Sequence, residues 1–571
     1  MTYAPPIRDM QFTLDKVIGA DRLAETELFA DATADTSEAI LTEAGKLAAE
    51  VLAPVNRNGD LTPARLENGV VRASPGFAEA YQAIAEGGWV GMNADPEFGG
   101  MGLPMTLTTA VGEMMNSACL SLALNPLMTQ GQIEALEHHA SDELKALYLP
   151  KLTSGEWTGT MNLTEPQAGS DVGALRTKAE PQGDGTYKVT GQKIYISWGD
   201  HDVAENICHL VLARLPDGVA GTKGISLFLV PKFIPDENGN PGVANTLKPI
   251  SLEHKLGLHG SPTAVMEFEE ATGWMVGPEH GGMAAMFTMM NNARLGVGVQ
   301  GLGIAEGAYQ KALAYALDRK QGKSLAGDTG TILDHADVRR MLMQMKALTH
   351  AARSICLDTA FSLDMARATD GDKAAKWKAR GAFLTPIAKA FGTDVGSEVA
   401  DLGIQVHGGM GFVEETGAAQ YARDVRVTRI YEGTNGIQAM DLVGRKLMDG
   451  GAAAEGLLGE IEATAKEAQE AHSDLADALQ DAGETLSATL DWLVKAEPND
   501  RFAGSVPFLR AFALVLGGHY LLRAAMAGGE DRLALARFHI RQLMPQAGAL
   551  CAAVTEGAGP LYALDAEALA S

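Results

Sequence analysis

Four cysteines in 571 residues, Cys119, Cys208, Cys356 and Cys551, are too few and too scattered for a disulfide framework. No CxxC pair or Cys/His cluster stands among them, so no metal site is expected. Basic residues are also short, 46 against 72 acidic, leaving a formal net charge of −26. Nucleic acid and anionic membranes select basic surfaces, so neither is expected as a partner. No apolar run is expected to reach the ~18 residues a membrane helix needs. The start MTYAPPIRDMQF lacks the basic-then-apolar order of a signal peptide. The expectation is a cytoplasmic protein with reduced, buried thiols.

What is present is 46% apolar and 21% charged residues, a globular composition long enough for three or four domains of roughly 100 to 200 residues each. Residues 1–155 read as helical, with 3.6-period apolar positions in SEAILTEAGKLAAEVLAP and CLSLALNPLMTQGQIEALEHHA. Residues 156–285 change to short β-like runs, including WTGTMNL, TYKVTGQKIYIS and ISLFLVP, parted by GDG, PDG and ENGNPG turns. Residues 286–450 return to helical periods long enough for the rods of a bundle. Residues 451–571 are a further alanine-rich helical region. The expected fold is mainly α with a central, β-barrel-like domain between an N-terminal helical domain and a C-terminal helix bundle, followed by an extra helical domain packing onto a partner subunit.

Several stretches could carry chemistry. In MNLTEPQAGSD, closely spaced backbone N–H groups and the hydroxyls of Thr164 and Ser170 could cradle a polar ring edge or a phosphate, with Gly169 allowing close approach; a plain β-turn is the alternative. In GQKIYISWG, period-2 alternation puts Tyr195 and Ser197 on one face, fit for a planar heterocycle or for an ordinary half-buried strand. Arg319, in DRKQGKS, and the break QVHGGMGF could bind phosphate or simply end helices. In RIYEGTNGIQ, Glu432 is either an exposed residue at a helix start capped by Thr434 or Asn435, or an acid held by a glycine-containing loop for a purpose.

Taken together, TEPQAGSD, GQKIYIS, NNARLGVGVQGLGIA, YALDRKQ, QVHGGMGF and RIYEGTNGIQ resemble, in order, the signature set of the acyl-CoA dehydrogenase family over residues 40–446. The length and C-terminal tail resemble the subgroup acting on 3-(methylsulfanyl)propanoyl-CoA in dimethylsulfoniopropionate breakdown. The resemblance implies FAD-dependent α,β-dehydrogenation of an acyl-CoA to a trans-2-enoyl-CoA, with Glu432 as catalytic base. Some members place the base just before the arginine of the first bundle helix, a position occupied here by Ala293.

By the same resemblance, Met161, Leu163, Thr164, Gly169 and Ser170 meet the flavin, and Tyr195 and Ser197 stand at its other face. Arg319, Gln405, Gly408 and Gly409 hold the FAD of a neighbouring subunit in a homodimer or homotetramer, and Thr434 and Gly436 complete the cofactor end. The loop after Arg319 is longer than in short members, which puts contacts around His335 in doubt. Ser170, Asn291, Arg294, Tyr431 and Gly433 fall near the substrate; for Tyr431 a packing role stands beside the acyl-lining one. The methionine run MAAMFTMM could offer a polarizable surface to a thioether or be helix core. The electron acceptor implied is an electron-transfer flavoprotein. Alternatives are a short- or medium-chain enzyme of β-oxidation, an acyl-CoA oxidase and a flavin-bearing binding protein.

Overall fold

A computed structural model describes residues 3–571, except the Asn291 side chain. The N-terminal region is built around a long helix, Met105–His139, which kinks at Cys119 (φ −157°, ψ 86°) and is almost wholly buried. Within this region, read from the sequence as helical, lies a hairpin of β1 (Arg65–Glu67) and β2 (Val70–Arg72). Its turn, Asn68-Gly69, is left-handed at both residues (φ 51° and 80°), the backbone that an Asn-Gly pair adopts in a tight hairpin.

The middle region holds β3 (Trp157–Asn162), β4 (Lys178–Pro181), β5 (Tyr187–Ser197), β6 (Asn206–Arg214), β7 (Ile225–Pro231), β8 (Phe233–Pro235), β9 (Pro241–Ala244), β10 (Leu247–Leu252) and β11 (Thr263–Val276). β8 and β9 form a separate hairpin. The long β11 pairs with β10 and β5 along its first part and with β7 at its end. Because β5 pairs with β4, β4 with β6 and β6 with β7, the strands close into a ring. β3 lies parallel to β6 outside that ring. β7 and all of β6 except Arg214 are buried and rich in Val, Leu and Ile, with Val211 and Phe228 in the smaller core of the sheet and Leu210 and Leu227 in the core shared with the helices. The barrel-like expectation agrees with this closure.

Three long helices follow, Gly282–Asp318, Ala336–Arg367 and Gly371–His407. The first and third run in the same direction with their backbones in contact, and glycine makes this possible. A Cβ on Gly301 would stand 2.3 Å from the Gly392 carbonyl oxygen, and one on Gly396 would stand 2.5 Å from that of Gly301. Gly298 and Gly392 are equally closed to a side chain. At the far end of this seam Tyr315 stacks on His407, with ring centroids 4.4 Å apart.

The C-terminal helices pack on the chain's own bundle. Phe512 meets Phe383 edge to face, Arg510 pairs with Glu398 at 2.8 Å, and Arg380 bridges Asp358 and Glu460 at 2.6 Å each. The physical reason is their apolar faces, which Ser505–Ala527 buries between the bundle and the surrounding helices. That helix is also long and apolar enough to cross a bilayer, contrary to the reading of the sequence, but 83% of its most apolar window is buried within the protein. All four cysteines are free and buried.

Candidate active site

The loop Arg429–Thr434 emerges beside the glycine seam, and its backbone is unusual. Glu432 has φ 53° and Gly433 φ 77°, two left-handed residues in succession. For a residue with a Cβ this conformation costs about 1–2 kcal/mol, so surrounding contacts must hold it. They do. The Glu432 carbonyl accepts from Gln438 Nε2 at 2.9 Å, and the Gly433 carbonyl from Lys389 Nζ at 2.9 Å. Lys389 also donates to Asn435 Oδ1 at 2.9 Å, while Asn435 Nδ2 reaches Thr393 Oγ1 and Asp394 Oδ1. Thr434 caps the Asn435–Asp441 helix by accepting from Ile437 N at 3.2 Å. The helix start expected from the sequence is therefore real, but Glu432 is not an exposed residue upon it.

Glu432 is enclosed on most sides yet partly open to solvent, and its carboxylate makes no hydrogen bond or ion pair among the described residues. Burial pushes its pKa up to about 7, against the opposing pull of Arg294 and Lys389. Arg294 is itself buried, 3.5 Å from Asp441, with Nε unpartnered. Its charge falls on Glu432 and Asp441. The Glu432 N–H also has no acceptor among the described residues. A carboxylate of near-neutral pKa with a free backbone donor at the same residue can remove a proton and stabilise the negative charge that develops next to it.

Tyr431 donates its hydroxyl to Gln300 Oε1 on the Gly282–Asp318 helix. One residue earlier, Val299 lines a cavity of about 60 Å³ between that helix and Met105–His139. Trp89, Met92, Met115, Leu127 and Leu295 share its wall. The methionine run takes its helix-core alternative: Met286 and Met289 are fully buried and none of its residues lines the cavity, whose sulfur atoms come from other methionines. A larger depression of about 340 Å³ lies in the C-terminal helices, among Asp481, Thr485, Arg541 and Met544, on a different unit from Glu432. The Asn291 side chain lies outside the described structure.

At the end of β3 the segment Met161–Ser170 is shaped by a residue that sequence reasoning missed. Glu165 accepts from Arg176 N, Thr177 N, Thr177 Oγ1 and Lys193 Nζ at 2.6–3.0 Å, and these partners hold its pKa down at about 2 despite burial. Lys193 also binds the Leu163 carbonyl at 3.0 Å. With Glu165 turned inward, the hydroxyls of Thr164 and Ser170 have no partner among the described residues, and a Cβ on Gly169 would meet nothing within 4 Å. Tyr195 breaks the expected alternation of its strand: it is left-handed (φ 61°) at a bulge against β11, and 62% exposed. The bulge turns its ring outward instead of leaving it half-buried in the sheet. Missed too was Trp198, buried and donating to the Ser121 carbonyl at 3.2 Å.

Arg319, Gln405, Gly408 and Gly409 are all exposed, and the Tyr315–His407 stack brings the two helix ends that carry them together. Neither Gly408 nor Gly409 would place a Cβ within 4 Å of anything, and Gly436 would meet only Thr434 Oγ1 at 3.7 Å. His335 is engaged by its own loop, through Gln321 O at 2.7 Å. Open glycine backbone, unpartnered hydroxyls and an unpaired guanidinium fit a phosphate-bearing cofactor with a polar ring edge.

Four family models match the chain: acyl-CoA dehydrogenase N-terminal domain over residues 34–156, middle domain over 160–271, C-terminal domain over 280–448, and an acetyl-CoA dehydrogenase C-terminal-like domain over 457–565. The chain is 46% identical to a 3-methylmercaptopropionyl-CoA dehydrogenase of Ruegeria pomeroyi over 93% of its own length and 92% of that protein's. It is 37% identical to a butyryl-CoA dehydrogenase of Syntrophomonas wolfei, with 78% and 75% covered. Caenorhabditis elegans ACDH-11, solved in complex with C11-CoA, shares the fold with a TM-score of 0.81 at 21% identity, covering 95% of this chain and 92% of that one.

Proposed function

The chain belongs to the acyl-CoA dehydrogenase family, and from that premise we propose that Glu432 is the base with which it removes the α proton of a short acyl-CoA. It is a flavin-dependent oxidoreductase of acyl-CoA thioesters. The observation that carries the assignment of the base is the conjunction at one residue of a free carboxylate, a pKa near 7 and an unengaged N–H. A thioester α C–H is a weak acid, so the enolate that forms must be stabilised as the proton leaves. A preorganised N–H donor such as that of Glu432 contributes about 3–4 kcal/mol to such a step.

We assign the flavin as FAD. When bound, it accepts the β hydrogen as hydride. Met161, Leu163 and Thr164 would meet its ring edge, Tyr195 and Ser197 its other face, and Thr434 and Gly436 the adjoining end. Arg319, Gln405, Gly408 and Gly409 would hold the phosphates and adenine of a cofactor bound mainly by a second copy, which makes a homo-oligomer part of the reading. Ser170 and Arg294 lie on the substrate side, and Tyr431 and Gly433 border the acyl group. The domain limits, 1–155, 156–285, 286–450 and 451–571, belong to the same reading. An electron-transfer flavoprotein as acceptor and a cytoplasmic address accompany it.

For the acyl chain we propose 3-(methylsulfanyl)propanoyl. Two things support it: the 46% identity to a protein named for that thioester, and a small cavity partly walled by Met92, Met105 and Met115, whose soft side chains suit a thioether. Comparison of kcat/KM for butanoyl-, octanoyl- and 3-(methylsulfanyl)propanoyl-CoA tests it. The thioether substrate should lead; a clear preference for octanoyl-CoA would reject the thioether reading.

A further inference from the structure

We propose that Lys389 is a positioning residue for proton abstraction: with Gln438 it clamps the two left-handed peptides that carry Glu432, and its ammonium supplies the charge that keeps Glu432 ready to ionise. The inference rests on Glu432 being the base and adds a second residue to that step.

The geometry is specific. Lys389 is fully buried in the middle of an apolar helix, where an ammonium is costly unless it has a task or a partner. Among the described residues no carboxylate stands within ion-pair distance of it; its hydrogen-bond partners are the Gly433 carbonyl and Asn435 Oδ1. Gln438, also fully buried, reaches the preceding carbonyl, that of Glu432. Both carbonyls of the strained pair are thus tied by side chains from two different helices. A peptide is planar, so fixing these carbonyls also fixes the Gly433 and Thr434 N–H groups, and it anchors the Glu432 Cα that begins the first of the two planes.

The electrostatics agree. The charged groups around Glu432 are Arg294, from the Gly282–Asp318 helix, and Lys389, from Gly371–His407; both favour its anion. Those around Lys389 are Glu432 and Asp394, which favour its charge, and Arg294 and Arg429, which oppose it. Burial brings Lys389 down to about 8, so ionisation of Glu432 and retention of the Lys389 proton support each other in the neutral range.

The test compares holoenzyme of Lys389→Met, which keeps length and loses donors and charge, with Lys389→Gln, which keeps a donor and loses charge, and with Gln438→Met. Lys389→Met should lower kcat about 100-fold at pH 7 with KM nearly unchanged. In both Lys389 variants the acid limb of kcat should move up by about one pH unit, and Gln438→Met should lower kcat without moving it. An infrared titration of the Glu432 carboxyl band, taken as the difference from Glu432→Gln, should show the same upward shift without turnover. If Lys389→Met does not fold, Lys389→Gln carries the pH test. A folded Lys389 variant with the wild-type pH profile and carboxyl band overturns the proposal. Glu432→Gln enzyme that still oxidises acyl-CoA at near wild-type rate would instead overturn the choice of Glu432 as base, and the infrared shift would still report on the clamp.

Discussion

Tyr431 and Gln300 are joined by a hydrogen bond that runs from the loop carrying Glu432 to the Gly282–Asp318 helix, one wall of the 60 Å³ cavity. It ties the loop that carries the carboxylate to that helix. Gln300 is fully buried and its Nε2 already has no partner. Tyr431→Phe should therefore leave a second buried polar atom unpaired and cost about 1–3 kcal/mol of stability. Denaturant melts should show this, together with a fall in kcat/KM that is larger for short acyl-CoAs than for CoA binding itself.

The raised pKa of Glu432 has a consequence for stability with a definite sign. The folded carboxyl titrates near 7 against 4.5 for an ordinary glutamate, so the folded state favours its neutral form. This contribution is fully present below about 4.5 and is lost as pH rises to about 7. Glu432→Gln does not ionise. Without acyl-CoA it should match wild type at pH 4.5 and exceed it by about 1–3 kcal/mol at pH 8. Melts at the two pH values decide this; equal stability at both would show that the carboxyl is not raised.

Arg353 binds Glu113 at 2.5 Å and Glu306 at 2.7 Å, with all three side chains buried. It joins the Met105–His139 helix to the bundle, the two walls of the 60 Å³ cavity. Arg353→Met leaves two buried carboxylates without their cation and should cost about 3–5 kcal/mol. The predicted readout is a large fall in melting temperature, partly restored by Glu113→Gln in the same chain.

The glycine seam gives a steric prediction with an internal control. Gly301→Ala drives a methyl group against the Gly392 carbonyl, parting the helices that carry Gln300 and Lys389. It should destabilise by about 1–3 kcal/mol and reduce kcat. Gly456→Ala, at an exposed helical position with nothing within 4 Å, should stabilise by up to about 1 kcal/mol and leave activity alone.

Much of this arrangement is legible in the residues. The three rods show as long apolar periods, and Glu432 stands out because an acid between Tyr431 and a Gly-Thr-Asn-Gly turn needs a reason. Other parts depend on partners distant in the chain. Lys389 in PIAKAF reads as a lysine reaching for solvent until Gly433 is seen beside it. Glu165 reads as a turn residue until Lys193 and Thr177 close on it. The barrel closes through a single parallel pair, Lys178 with Arg214, which no local period announces. The β1–β2 hairpin was readable from its Asn-Gly turn but is hidden in helical surroundings.

The most direct measurement is anaerobic titration of flavin-loaded wild type and Glu432→Gln with 3-(methylsulfanyl)propanoyl-CoA, following flavin absorbance. Wild type should bleach stoichiometrically, and the variant should bind the thioester but stay yellow. Bleaching of the variant at a rate within tenfold of wild type would place the base elsewhere and contradict the account.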